Sequence, residues 1–485
     1  MVYRIARIEL YVRETRPGRM TFSLGKHGGT GAAAKPLRSP LGHVRMIVRD
    51  SSGRETFGCS GGRLSVRWFD KRPGRSKGRK LRELVALIQT ARDIYLHKPA
   101  FKSPFSKWHA CHEQIMHAGR TQGQENLTSA FASALMEEAL LDAVCRLHGK
   151  SIFQMLKADR LGFRPAVVHK ELAGLQFPRV MPNRPLTTFW IRHTIGLEDP
   201  LTAADLPDSK RVRDGLPETL DEYLTADGLR YFKIKISGDP PNDLKRLANI
   251  WNVIERAKLP VITLDANEAY SDLKEFARFV ETFESELTGM FQHVEYIEQP
   301  LNRRLTLDPK TAKWIRNIGE RKPLLIDEAD ATLGAFKQAY AIGYRGTSHK
   351  NCKGFFKSLL NYSLAAYYAA DGKDAFLSAE DLQNLPVVPL QQDFTALGVL
   401  GIEHCERNGH HYNYGLSMLS PKDKARAVRR HPDLYVKRKN EWFLNIRGGQ
   451  VRCASLQCPG FGIADEPDWP SMTNMKAWIA RRYPA

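Results

Sequence analysis

YFKIKISGD at 231–239, VITLDANEAY at 261–270, VEYIEQPL at 294–301, PLLIDEAD at 323–330 and GTSHKNCKG at 346–354 share one pattern. Each is a short apolar run that ends in a charged side chain, and a helical stretch follows before the next run. Asp265, Glu298 and Asp327 stand 33 and 29 residues apart, about one strand-plus-helix unit each. Strand ends of this kind are where a parallel α/β barrel assembles its active site, whatever the reaction. Three carboxylates on neighbouring strands repel one another, and a divalent cation is the usual means of keeping them ionised together.

Reading outward from this stretch, strand and helix alternate to about residue 400. Strands are expected near 187–195, 230–236, 260–265, 293–298, 323–327, 345–350, 375–380 and 399–404. Eight strands with intervening helices predict a (β/α)8 barrel rather than an open sheet. Upstream, Val44, Met46 and Val48 alternate with Arg45 and Arg49, the period of a half-buried strand. Asp50 to Gly53 supply a turn, and Glu55 to Cys59 return as a second strand. Leu81, Leu84, Val85, Ile88, Ala91 and Tyr95 recur at helical spacing. A further helix opens at Thr128 or Ser129 and stops at Gly149. The glycine-rich segment Gly25 to Ala34 reads as a loop without a phosphate-binding pattern. Beyond residue 421 the chain turns polar and basic. Phe443 to Ser455 predict a strand–turn–strand around Gly448-Gly449, and a helix is expected at 471–482.

The chain has 485 residues, enough for a large core. Its 73 Lys and Arg against 53 Asp and Glu give a net charge of +20. Much of the excess lies in 71–82 and 422–439. Neither run carries the interleaved aromatics of a single-strand nucleic-acid platform, so both are expected to be solvated and nucleic acid is not the expected partner. Seven cysteines show no zinc-like spacing and predict reduced thiols. The segment MVYRIARIELYVRE places charges where a signal peptide needs an apolar core, and no run suits a membrane span. A cytoplasmic location is the expectation.

In Lys233-Ile234-Lys235 the strand period puts both lysines on one face and the isoleucines on the other. Two neighbouring ammonium groups disfavour each other's charge, so such a lysine can become neutral near pH 7 and act as a base. Taken singly, each carboxylate has a plainer reading: Asp265 and Asp327 as helix caps, Glu298 as a surface residue at a strand end. Their shared position and spacing favour a site. Lys350 shares a face with Ser348, while His349 takes the opposite, packed face. Lys353 reads as solvated.

On these segments the chain resembles the enolase superfamily, and within it the mandelate racemase and muconate lactonizing enzyme group. FKIKISGD matches the lysine motif of the second strand, TLDANEAY, YIEQPL and LLIDEAD the three metal-bearing strands, and SHKNCKG the lysine-bearing sixth strand. The helix around Glu138–Asp142 and the tail GGQVRCASLQCPGFGIADE extend the likeness over nearly the whole chain. The resemblance implies an α+β capping domain formed by residues 1–127 and the tail 421–485, over a catalytic barrel at 128–420. It implies Mg²⁺ on Asp265, Glu298 and Asp327, with Lys235 and Lys350 as the acid/base pair and Lys233 tuning Lys235 or touching the substrate carboxylate. Glu328, Asn267, Ser348, Glu380, Glu403 and His404 are the expected outer-shell or substrate-contacting residues. Loops around Gly25–Gly31 and Cys59–Leu64 would add substrate contacts. Two departures stand out: Gly354 is followed by Phe355-Phe356 rather than a second glycine, and the seventh strand offers Glu380 and Asp381 instead of histidine. The implied activity is α-proton abstraction from a small carboxylate through an enediolate, as a racemase/epimerase or acid-sugar dehydratase, in a homo-oligomer. A cycloisomerase of the same superfamily, or a non-catalytic basic barrel that binds an anionic polymer, is the alternative.

Overall fold

A computed structural model describes residues 1–16, 18–20 and 40–484, which form an antiparallel sheet, a larger, mostly parallel one and a two-stranded hairpin at 435–444. The antiparallel sheet contains β1 (Tyr3–Arg13), β2 (Leu41–Asp50) and β3 (Glu55–Arg63). Val44, Met46 and Val48 of β2 are fully buried, as their alternation predicts. The second strand continues past Cys59 to Arg63, so most of the expected loop 59–64 is strand. Gly25–Gly31 lie outside the described residues. Helix Asn126–Leu147, rich in alanine and buried along almost its whole length, lies against β3. The approach is close at Gly58, where a Cβ would stand 2.1 Å from the Ala139 carbonyl oxygen. The tail returns to this sheet, because Thr473–Asn474 pair antiparallel with Tyr11 and Val12 of β1.

The parallel strands are β4 (Thr188–Ile195), β5 (Tyr231–Lys235), β6 (Val261–Asp265), β7 (Val294–Glu298), β8 (Leu324–Ile326), β9 (Gly346–His349), β10 (Phe376–Ala379) and β11 (His404–Arg407). They run side by side in chain order from β4 to β10, and β11 pairs in parallel with the far side of β4. No ladder among the described residues joins β10 to β11. Side chains bridge that seam: the Asp381 N–H donates to Glu406 Oε2 at 2.9 Å, and the Asn408 N–H to Asp381 Oδ2 at 3.4 Å. Ile234 and Ile236 pack with Leu247, Ile250 and Ile254 of helix Pro240–Ile254, so the outer face of β5 is apolar and its lysines point the other way.

The last strand corrects the sequence reading. Residues 399–403 are not a strand: helix Val388–Leu400 runs into them, and Gly401, with φ of +69°, ends it in the left-handed region. A short apolar run reads alike as buried helix or buried strand, and here the helix prevails. The strand–turn–strand near Gly448-Gly449 is present as Ile446–Arg447 and Gln450–Arg452, the latter pairing antiparallel with β4. All seven cysteines are unbridged. Among the described residues no helix is long and apolar enough to cross a membrane.

Candidate active site

The carboxyl-terminal ends of β5 to β10 bring together nearly every residue singled out from their segments. Lys233 lies at the centre, 1% exposed. Its Nζ stands 3.0 Å from Asp265, 2.6 Å from Glu298, 2.5 Å from Glu380 and 3.1 Å from Glu406. Lys235 Nζ donates to Asp265 Oδ2 at 2.5 Å. Across the site, Lys350 Nζ donates to Asp327 Oδ2 at 2.6 Å, and Ser348 Oγ donates to Asp327 Oδ1 at 2.5 Å. Asn267 reaches Glu328 Oε1 at 3.1 Å, and its own N–H donates to Asp265 Oδ1. His349 turns away to Ser358 Oγ at 2.7 Å, as the period of two requires.

This network is a set of buried charges, each dependent on an opposite partner, since an unpaired charge at such depth is strongly disfavoured. Burial opposes the charge on Lys233, but Asp265, Glu298, Glu380 and Glu406 overcome it and raise its pKa well above the ordinary lysine value. The expected neutral lysine is therefore not found at Lys233, because carboxylates outnumber its neighbouring cation. Lys350 is likewise raised despite burial, chiefly by Asp327. For Asp327 burial acts upward, yet Lys350, Lys353 and Lys233 hold it well below the carboxylate range. Glu298 behaves oppositely: burial first, then the charges of Asp265 and Glu380, push it well above. Glu328 is raised to about 7 by burial and by Asp327.

Asp265, Glu298 and Asp327 face one region, but among the described residues no three such side chains stand in the arrangement of a metal centre. The reason is visible in the ion pairs. Lysine ammonium groups lie against the carboxylates, Lys233 on Asp265 and Glu298, and Lys350 and Lys353 on Asp327. The donor set nonetheless suits a hard divalent cation: three buried carboxylates, with Glu298 Oε1 accepting no hydrogen bond while Oε2 faces Lys233.

The expectations for Lys353, Glu403 and His404 are corrected. Lys353 is not solvated; it is buried and donates to Asp327 Oδ1 at 2.8 Å, the Asp327 carbonyl at 2.7 Å and Ser348 Oγ at 2.6 Å. Glu403 and His404 are not at the site. With β11 starting at His404, they lie at the amino-terminal ends of the strands, where Glu403 is exposed and His404 Nε2 meets Glu295 at 3.1 Å. Two residues on, Glu406 points into the site and accepts from Thr194 Oγ1 at 2.7 Å.

Other residues of the site escaped the sequence reading. Arg192 of β4 pairs with Glu380 at 2.5 Å and bonds the Tyr296 hydroxyl. Gln299 accepts from the Asp327 N–H at 2.8 Å and the Ala329 N–H at 3.2 Å. Trp68, from the antiparallel-sheet half, donates its indole N–H to Glu328 at 3.0 Å and lays its ring 4.4 Å from Lys350 Nζ. The basic runs are largely paired within the chain: Arg72 and Arg75 with Glu83 at 2.5 and 2.7 Å, Arg430 with Asp465 at 3.0 Å, and Lys424 with Glu441 at 2.6 Å.

Solved structures of enolase-superfamily proteins share this fold. A mandelate racemase/muconate lactonizing enzyme from Bordetella bronchiseptica is 16% identical, with 96% of this chain and 98% of that one covered at a TM-score of 0.58. An enolase from Bradyrhizobium, complexed with magnesium and mandelic acid, is 14% identical over 97% and 98% at 0.58. A dipeptide epimerase from Cytophaga hutchinsonii, complexed with Mg and the dipeptide D-Ala-L-Val, is 12% identical over 97% and 98% at 0.59. No protein-family model and no curated protein matches the chain.

Proposed function

We propose that this chain is a (β/α)8-barrel enzyme that removes the α-proton of a small carboxylate substrate with the aid of Mg²⁺. Racemisation/epimerisation and acid-sugar dehydration are the favoured outcomes. The reading is carried by one observation: Lys235 and Lys350 hold different carboxylates at the ends of the second and sixth parallel strands, with the unpartnered Glu298 Oε1 beside them. A proton next to a carboxylate is very weakly acidic, because its removal concentrates negative charge on the carboxylate oxygens. A bound Mg²⁺ supplies Lewis-acid stabilisation of that charge. Asp265, Glu298 and Asp327 are the residues that would hold it. Lysine stems are long and flexible, so an ammonium can leave a carboxylate while the strands stay in place.

The remaining work belongs to the chain. Freed from Asp265, Lys235 becomes the proton acceptor on one face, and Lys350 serves the other. Glu380 and Glu406 retain Lys233 as a fixed positive charge beside the substrate. Trp68, over Lys350 and on Glu328, excludes water from that side. The internal pairing of the basic runs argues against the polymer-binding alternative.

The test is α-proton exchange in D₂O, followed by NMR with Mg²⁺ over sugar acids, amino-acid derivatives and dipeptides. Exchange is expected for one class and is lost with EDTA. Lys235→Met and Lys350→Met should each abolish exchange at one face, a loss of about 10²-fold or more. Wild-type exchange on both faces in both variants would remove the two-lysine assignment. Failure of Mg²⁺ to raise the urea midpoint would remove the metal.

A further inference from the structure

At the amino-terminal ends of the strands, away from the lysine–carboxylate network, the structure has a second cavity. It encloses about 1390 Å³ between atoms, part of it open to solvent. It opens where β10 and β11 lack a ladder, between helices Phe355–Ala370 and Val388–Leu400. Its walls include the rings of Tyr231, Tyr296 and Phe376, the surfaces that seat an apolar or cationic group. A bulge opposite Ile262 and Thr263 leaves Glu295 as the extra residue of β7. Bulges re-aim side chains, and the Glu295 carboxylate reaches His404 at 3.1 Å on the cavity wall.

Two further observations point to a ligand. Ser378, 2% exposed, lines the cavity with an Oγ that has no hydrogen-bond partner. The charge is also selective. In a chain of net charge +20, the described lining residues include Glu295 and Glu403 and no lysine or arginine. Carboxylates on an aromatic-lined wall recognise a cation, and the apolar part of the wall recognises a hydrocarbon body.

We propose that this cavity binds a small organic cation, an ammonium group carried on an apolar or aromatic body. The ammonium lies by Glu295 and Glu403, its body runs along Phe376, and Ser378 takes a polar substituent. Tyr296 is a wall shared with the candidate active site, since its hydroxyl donates to Glu380 Oε1 at 3.1 Å. An occupant would therefore sit one side chain from the group that holds Lys233. The inference does not depend on the reaction proposed above.

The test is calorimetric titration of the full chain with phenethylamine, with neutral 2-phenylethanol as the uncharged control. The amine should bind with one-to-one stoichiometry, about tenfold more tightly than the alcohol, in line with a cation beside aromatic faces and a carboxylate. Glu295→Gln should weaken the amine by about tenfold. Ala369 is exposed at the mouth, so Ala369→Phe obstructs the cavity without disturbing the core and should weaken it similarly. That second variant keeps the test decisive if Glu295→Gln fails to fold. Equal affinity for amine and alcohol, unchanged affinity in the variants that fold, or no binding at millimolar concentrations would overturn the proposal.

Discussion

Gln299→Leu is the substitution whose cost can be worked from the structure with fewest assumptions. Gln299 is fully buried, and its side chain makes four hydrogen bonds: it accepts from the N–H groups of Asp327 and Ala329 and donates to Leu301 O and Thr306 Oγ1, both at 2.7 Å. Leucine has nearly the same volume and makes none of them. Leu301 O retains a donor in Thr306 Oγ1 at 3.1 Å, and Thr306 also reaches Asn302 O. The two N–H groups lose the acceptor they share, in a place closed to water. At about 1–3 kcal/mol for each stranded donor, the loss is about 2–6 kcal/mol, against a total stability of about 5–15 kcal/mol for a typical domain. Backbone strain adds little, because Gln299 already has φ of +39° and leucine is unbranched at Cβ. Urea unfolding measures the change, provided the slope with denaturant is unaltered. A loss below about 1 kcal/mol in Gln299→Leu would mean that the two N–H groups find other acceptors, and would refute the view that Gln299 fixes the Asp327 backbone.

Two other substitutions have defined outcomes. Burial raises the Glu137 carboxyl to about 8, although the Phe356 and Phe355 N–H groups pull the other way. The folded chain therefore holds a proton that the unfolded chain releases near pH 4.5, and stability must fall as pH rises from about 4.5 to 8, by up to about 1.4 kcal/mol per unit for this one group. Glu137→Gln should flatten the urea midpoint over that window, and an unchanged slope would contradict the assignment. Trp68→Phe removes the indole donor to Glu328 and weakens the ring face below Lys350. It should cost about 1–3 kcal/mol, read by urea unfolding, and an effect within about 0.5 kcal/mol would show that Trp68 merely fills space.

The parts of the site legible in the sequence are those written into strand periodicity. Lys233 and Lys235, Asp265, Glu298, Asp327, Ser348 and Lys350 lie on strands or at their ends, where an alternating pattern fixes the face and a βα repeat fixes the neighbour. Lys353 was not legible, because it follows the strand in a short 3-10 turn that curls its ammonium back to Asp327. Glu403 and His404 are misplaced through a single ambiguity, whether the apolar residues 398–402 are helix or strand. Trp68 comes from a four-residue helix in the other sheet's half, more than 250 residues from its partner Glu328. No local pattern encodes such a contact. The lysine charge was misjudged for a different reason: spacing reveals that two ammonium groups are neighbours, while the four carboxylates that decide the balance come from four other strands.

The pairing of Thr473 and Asn474 with β1, reinforced by the Trp478 indole donating to Glu14 across 464 positions, has a consequence for biosynthesis. During translation the parallel strands can all emerge, ending at Arg407, before the outer edge of β1 meets its mate. The parallel sheet can thus be assembled while the antiparallel one still has an exposed edge, a surface prone to mispairing with other nascent chains. Closure waits until Thr473 and Asn474 have emerged.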